Sequence, residues 1–268
     1  MESTINIGFI GAGNMGSAIM KGIKRNVKEN IQLYVFDKCT EKAESLKELG
    51  VEICSNENEI FKKCKYIFLA VKPQVIEDVL DTVASDVTPE NVIISIAAGI
   101  SDEFICSKTI PEAKVILVMP NTPLLLGEGA SALSHNDYVT DEEFSLICNI
   151  FATCGKISAI SKDKMKEVIA INGSSPAFIY LFAKGFIDYA EKNGITEESA
   201  KLLFAQSLIG SAKMITDSGY SIDELIKMVS SPGGTTLAGL DALYEGKLTD
   251  TVNDACERCT KRAYELSK

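Results

Sequence analysis

An apolar run, Ile5–Ile10 (INIGFI), stops at Gly11, and the turn that follows, Gly11-Ala12-Gly13-Asn14-Met15-Gly16, opens a stretch with helical spacing over residues 15–24. No other feature of the chain narrows its fold as far. A G-x-G-x-x-G turn between a strand and a helix is the phosphate-binding corner of a doubly wound α/β sheet. The first glycine lets the turn close, the second lets backbone approach a pyrophosphate, and the third lets the helix pack on the strand. N–H groups at the helix start, with the helix dipole behind them, suit a phosphate. A second apolar run over residues 33–36 ends at Asp37, about 20 residues past the last glycine, where a ribose-binding carboxylate is expected. Ile10, Gly11, Ala12, Gly13, Asn14, Met15, Gly16, Asp37 and Lys38 are therefore candidate dinucleotide-binding residues. A glycine-rich turn of some other α/β protein is the alternative. The charge of Asp37 favours NADH, because the 2′-phosphate of NADPH would face it, whereas Lys38 and Lys42 could offset that charge. Both cofactors stay open.

The rest of the first half repeats the strand and helix alternation. Residues 41–49 read as a helix closed by Gly50, residues 66–71 as a strand stopped by Lys72-Pro73, and residues 92–96 and Lys114–Met119 as further strands. Near-continuous apolar strands separated by amphipathic helices imply a parallel sheet covered on both faces. Residues 130–133 and 156–159 look like later strands, bracketing a helix over 141–151. From about Lys162 the pattern turns helical throughout: 165–192, Glu197–Asp217, 222–229 and 250–266. Gly194 and Gly219 are helix stops, and Thr196 and Ser221 are N-caps. A length of 268 residues suits two domains. The expected architecture is an N-terminal Rossmann-type parallel-sheet domain over 1–161, followed by an all-helical C-terminal dimerisation domain over 162–268. The helices over 165–192 and Glu197–Asp217 are apolar on more than one face, as Phe178, Ile179, Leu181, Phe182, Phe186 and Ile187 show. Such helices must be buried, and partner subunits are the natural cover.

Charge and cysteine usage exclude several functions. A net charge of -10, with arginine only at Arg25, Arg258 and Arg262, leaves no basic face for nucleic acid. No apolar run approaches the ~18 residues of a membrane span, and the N-terminus lacks a signal-peptide pattern. Eight scattered cysteines then read as reduced thiols in the cytoplasm. Cys256 and Cys259 have C-x-x-C spacing, but no second pair or nearby histidine completes a metal site, so no metal is expected. His135, the sole histidine, lies in a Ser-His-Asn-Asp turn away from every motif and reads as a surface residue.

Four further segments are more specific: Ala70-Val71-Lys72-Pro73, then VMPNTP from Val118 to Pro123, GSSPAF from Gly173 to Phe178, and SSPGGTT from Ser230 to Thr236. Together with GAGNMG, their order and spacing resemble the pyrroline-5-carboxylate reductase family over essentially the whole chain. The resemblance implies NAD(P)H-dependent reduction of a cyclic imine to proline, and a helical domain that forms intertwined dimers, often rings of dimers. It implies that the last loop holds the substrate carboxylate through Ser231, Gly233, Gly234, Thr235 and Thr236, with the Thr236 hydroxyl on the ring nitrogen. The residues allow this physically. Gly233 and Gly234 free the backbone, and a helix beginning around Thr236 presents unpaired N–H groups suited to a carboxylate. A plain interhelical turn capped by Thr235 is the alternative. Ala70, Val71, Lys72 and Pro73 end a strand at the carboxyl edge of the sheet, where they could line the nicotinamide ribose or simply start a helix. Ala97 and Ala98 follow a strand at the same edge, and Asn121 either approaches the nicotinamide amide or serves a structural turn.

One position departs from the family, which commonly places a glycine before the proline of GSSPAF. Here Ser175 stands there, and Pro176 steers it toward extended conformations. The imine is basic and can enter as an iminium, so a strong protein acid is less necessary than for a carbonyl. Two other readings stand beside this one. A β-hydroxyacid dehydrogenase would need a catalytic lysine just beyond the glycine motif, yet the first lysine there is Lys184. A non-catalytic dinucleotide-binding paralogue is the other.

Overall fold

The strands at the centre of the sheet carry no polar alternation because helices cover both of their faces. The computed structural model describes residues 4–27 and 30–267. Its first half runs β1 (Ile5–Ile10), α1 (Asn14–Asn26), β2 (Ile31–Phe36), α2 (Thr40–Glu44), β3 (Val51–Ile53), α3 (Glu57–Lys63), β4 (Tyr66–Leu69), α4 (Pro73–Val83), β5 (Val92–Ser95), α5 (Asp102–Lys108) and β6 (Lys114–Met119). Then come β7 (Gly129–His135), α6 (Asp141–Ala152) and β8 (Gly155–Ala159). The sheet order is β3-β2-β1-β4-β5-β6-β7-β8. Alternate side chains go to opposite faces. Ile7, Phe9, Leu33, Phe68 and Ile94 pack with α1 and α6, while Ile10, Ile67, Leu69, Ile93 and Val115 pack with α3, α4 and α5. The Phe9 and Phe68 rings stack at 4.4 Å across β1 and β4.

The sheet is parallel from β3 to β6, but β7 runs antiparallel to β6, and β8 follows β7 in parallel. Only a 3₁₀ turn, Thr122–Leu126, lies between β6 and β7, too short a connection for a parallel crossover. Three other expectations are corrected. His135 is not a free surface residue: it ends β7 half-buried, its ring 4.4 Å from that of Phe144. The helix over 165–192 is not continuous. A π-helical turn, Ile169–Ser174, precedes α7 (Ser175–Lys192). Pro176 lacks an N–H and its ring crowds the preceding turn, and the wider π turn accommodates it. Ser175 is accordingly helical rather than extended.

The remaining helices are α8 (Glu197–Asp217), α9 (Ile222–Met228), α10 (Thr235–Glu245) and α11 (Leu248–Leu266). Thr196 caps α8 and Ser221 caps α9, each accepting a backbone N–H at 3.3 Å. The chain forms two compact units, Met1–Ser174 with Arg258–Lys268, and Ser175–Glu257. Within the first unit the π turn is tied to the sheet. The Asn172 amide donates to Met119 O at 2.7 Å and to Ala130 O at 3.0 Å. Among the described residues no helix is long and apolar enough to cross a membrane.

The helical unit has a small interior, and the Phe186 and Phe204 rings stack at 4.3 Å where α7 meets α8 although Phe186 stays exposed. Much of its apolar surface faces outward within one chain: Leu181 is 72 % exposed, Leu202 71 % and Ile215 55 %. So few residues cannot bury three or four apolar helices on themselves. We expect light scattering at micromolar concentration to give a dimer or a multiple of dimers, and a monomeric mass would contradict this reading of the helices.

Candidate functional site

The turn after β1 is held by its neighbours' backbones. Gly11 N–H donates to Phe36 O at 2.8 Å, and Ala70 N–H donates to Ile10 O at 2.8 Å, fastening the carboxyl ends of β1, β2 and β4 together. Gly11 has φ +109°, and a Cβ there would lie 2.5 Å from Ala70 O. A Cβ on Gly16 would lie 2.6 Å from Gly11 O. Gly13 is different, because a Cβ there meets nothing within 4 Å. Gly11 and Gly16 are required by the protein itself, whereas Gly13 keeps open a space outside it. Gly13 is also the N-cap of α1 and offers no side chain to the first turn. The N–H groups of Asn14, Met15 and Gly16 therefore have no intrahelical acceptor.

A cavity of about 290 Å³ adjoins this turn, and Ile10, Gly11, Gly13, Asp37, Lys38, Ala70, Val71 and Lys72 all border it. Lys42 borders it too, and also a larger groove along α1, of about 1080 Å³, that starts at Ala12, Gly13 and Asn14 and carries Lys21 and Arg25. In a chain of net charge -10, this local run of cations suits a polyphosphate. The Asp37 carboxylate accepts the Ala12 N–H at 2.7 Å and the Cys39 N–H at 2.8 Å. It therefore braces the turn from the end of β2, with lone pairs left over for a ribose hydroxyl. Pro73 is the first residue of α4, and Lys72 precedes it without capping the helix.

A second cavity, of about 300 Å³, opens at the carboxyl ends of β5 and β6, bordered by Ser95, Ala97, Gly99, Met119, Asp102 and Lys162. Ala98 is exposed on the same loop. Burial pushes the Asp102 carboxyl up, helped by the adjoining Glu103, while its hydrogen bond to Asp102 holds Glu103 down at about 2. Lys162 Nζ sits 3.2 Å from Asp102 and 3.1 Å from Glu103. Asn121 is turned inward, accepting the Ala130 N–H at 2.9 Å and donating to Asn172 O at 3.2 Å. Its side chain serves the structural turn. The sequence pattern does not reveal Gly99, Asp102 or Lys162. Only the Ser-Asp-Glu helix start at Ser101 marks the place.

In the helical unit, α10 starts at Thr235 rather than Thr236, and its N-cap is Gly234, not Thr235. Gly233 takes φ +69°, and Gly234 N–H turns back onto Ser231 O at 2.9 Å. No side chain caps the helix, so the N–H groups of Thr235, Thr236 and Leu237 stand open. Lys184, the first lysine after the 173–178 segment, is bonded to Asp188 at 2.7 Å. Cys256 and Cys259 are free thiols on α11. Among the described residues no group of His, Cys, Asp and Glu is placed to hold a metal ion.

Comparison with known proteins covers both halves. Residues 162–266 match the family model described as pyrroline-5-carboxylate reductase dimerisation, and residues 6–99 match that of NADP oxidoreductase, coenzyme F420-dependent. The pyrroline-5-carboxylate reductase of Escherichia coli K12 is 33% identical over 264 residues, 98% of each chain. That of Methanosarcina acetivorans is 34% identical over 266 residues, again 98% of each chain. Among solved structures, the pyrroline-5-carboxylate reductase of Coxiella burnetii superposes with a TM-score of 0.90 at 30% identity, covering 99% of this chain and 100% of that one. The Plasmodium falciparum pyrroline carboxylate reductase with NADP bound gives 0.86 at 32% identity, covering 98% of each.

Gly13 and Gly11 should separate experimentally. Gly13→Ala is expected to leave stability within about 1 kcal/mol of the parent, since a methyl group fits there, yet to weaken dinucleotide binding by on the order of tenfold or more. Gly11→Ala should instead lower the melting temperature by several degrees, through backbone strain at positive φ. Thermal melts and NADPH fluorescence titrations check both, and equal loss of stability in the two variants would contradict the assignment.

Proposed function

The chain belongs to the pyrroline-5-carboxylate reductase family, and from that premise we propose that it reduces the C=N bond of 1-pyrroline-5-carboxylate with NADPH or NADH, giving L-proline, the last step of proline biosynthesis. The observation that carries this reading is the loop before α10. A two-glycine turn and an uncapped helix start place three unpaired N–H groups beside two threonine hydroxyls, a set that suits a small molecule with one carboxylate and one ring nitrogen. Ser231, Gly233, Gly234 and Thr235 then hold the carboxylate, and Thr236 offers its hydroxyl to the nitrogen.

The dinucleotide fits the residues present. Gly13 leaves room where a side chain would obstruct, the N–H groups of Asn14, Met15 and Gly16 await an anion, and Asp37, Lys38 and Lys42 border the cavity beside them. When bound, the cofactor supplies the hydride. Ala70, Val71, Lys72 and Pro73, with Ala97 and Ala98, form the edge against which the nicotinamide half would rest. The protein's own work is orientation and exclusion of water, which contributes up to ~7–11 kcal/mol when reacting atoms are held in near-attack geometry. No side chain has to be a strong acid, because the imine can enter already protonated. We place this chemistry in the cytoplasm, in keeping with eight free cysteines, and in a homodimer or ring of dimers.

The direct test is NAD(P)H oxidation that depends on added pyrroline-5-carboxylate, with proline as product; its absence would overturn the reading. Within that assay Thr236→Ala should lower kcat more than it weakens cofactor binding. One lost hydrogen bond of ~1–3 kcal/mol corresponds to roughly 5- to 150-fold in rate. Unchanged turnover would remove Thr236 from the mechanism.

Cofactor choice turns on Asp37. A 2′-phosphate near its carboxylate meets like charge, at ~4 kcal/mol per pair for 4 Å and an effective dielectric near 20, before relaxation and before Lys38 and Lys42 offset it. NADH should therefore be used at least comparably to NADPH. Asp37→Ser should raise the NADPH to NADH ratio of kcat/KM by on the order of tenfold. A parent enzyme a hundredfold better with NADPH would instead assign cofactor reading to the lysines.

A further inference from the structure

The loop of residues 97–99 has an unusual support. On one side lies the 300 Å³ cavity, which Ala97 and Gly99 border, so packing from the sheet is missing there. On another side lie the last turn of α11 and Ser267. The three nearest heavy atoms to a Cβ built on Gly99 are Ser267 Cα at 3.6 Å and Ala263 O and Ser267 N at 3.7 Å. Every one of them comes from the last turn of α11 and the residue beyond it, within the same compact unit as the loop.

That last turn is itself fastened. Tyr264 donates its hydroxyl to Glu167 Oε1 at 2.9 Å, and Lys166 Nζ lies 4.5 Å from the centre of the tyrosine ring. Ser267 bonds back to Tyr264 O through its Oγ at 2.8 Å and its N–H at 3.3 Å. Ala263 is buried beside them. The other carboxylate oxygen of Glu167 is buried without a hydrogen-bond partner among the described residues. Loss of the Tyr264 hydroxyl would take from Glu167 the hydrogen bond that ties it to the last turn, a bond that lies at an exposed position.

We propose that Tyr264, through its bond to Glu167, is a positioning residue for the 97–99 loop and so for the nicotinamide end of the bound dinucleotide. This rests on the functional reading above, in which Ala97 and Ala98 line the cofactor site. Tyr264 itself borders the cavity, and the role assigned to it runs through Glu167 and the turn rather than through contact with substrate. It fixes the C-terminal turn, the turn braces Gly99, and Gly99 sets the loop at the carboxyl edge where ligands bind in open α/β sheets. Hydride transfer is sensitive to such placement, since a shift of ~1 Å can cost on the order of a hundredfold in rate.

The test compares Tyr264→Phe, Glu167→Ala, their double variant and Glu167→Gln in the full chain, with two ligands. NADPH reports on the whole dinucleotide, and adenosine 2′,5′-bisphosphate reports on the adenosine half alone. Tyr264→Phe and Glu167→Ala should each lower kcat by roughly five- to tenfold. The double variant should be no worse than either single one, because both remove the same bond. Glu167→Gln keeps an acceptor for the tyrosine and should recover most of the rate. Affinity for the bisphosphate should stay within about twofold throughout, while NADPH binding weakens severalfold. Parallel loss of bisphosphate and NADPH affinity would mean general loosening and would overturn the proposal, as would an unchanged kcat in Tyr264→Phe. If the parent protein binds NADPH but does not reduce pyrroline-5-carboxylate, the functional reading falls. The two-ligand titration then decides the positioning role alone: NADPH weakened with the bisphosphate unchanged supports it, and any other result overturns it.

Discussion

At the carboxyl end of β1 the backbone passes so close to Ala70 that only a glycine fits, and much of the structure follows from that approach. Two hydrogen bonds, Gly11 to Phe36 and Ala70 to Ile10, lock three strand ends into one edge. With the edge locked, α1 must leave at the angle that brings Gly16 against Gly11, and its N-terminus is left facing outward over Gly13. The Asp37 carboxylate then bonds to Ala12 from the end of β2, so a charge sits beside the turn. The same backbone contacts that close the sheet also leave open the space and the unpaired N–H groups a phosphate requires.

The parts of the fold legible in the sequence are those where chemistry or burial is contiguous along the chain. Helices cover β4 and β5 on both faces, so every position in them is apolar or small and the two strands stand out as unbroken runs. The fingerprint turn and the loop at 231–236 each lie within a handful of consecutive residues. The three residues of β3, Val51, Glu52 and Ile53, are too few for a period to register. The direction of β7 is hidden because an apolar run has no polarity of its own. Its antiparallel course follows from the short turn before it. The π turn is hidden as well, since apolar residues continue evenly through it and only Pro176 marks the strain.

Long-range pairs account for most of what stays invisible at the site. Asn121 looks like a ligand because it sits at the right edge of the sheet between two prolines. Its partner Asn172 is 51 residues away, and neither residue type announces the other. The pair fastens the end of β6 to the π turn, which explains why a polar side chain is buried there at all. Tyr264 and Glu167 are 97 residues apart. Sequence patterns report periodicity and local turn chemistry, whereas such bonds depend on where the folded chain happens to return.

The composition of the candidate site also says what kind of reaction it can support. Its charged groups are carboxylates, lysines and an arginine, and the sole histidine is packed against Phe144 at the far end of β7. Reduction of a carbonyl would call for a donor poised to protonate the developing alkoxide. Reduction of a protonated imine develops no such charge, because the electron pair that leaves the C=N bond neutralises the nitrogen. A hydroxyl is then enough to orient such a ring, and open helix N–H groups suit its carboxylate. What remains for the protein is placement, and placement depends on how firmly each loop is braced. The loop at 97–99 has little side chain of its own, so it takes its shape from backbone bonds and neighbouring elements. In a loop built this way, residues that never meet the substrate can govern the rate.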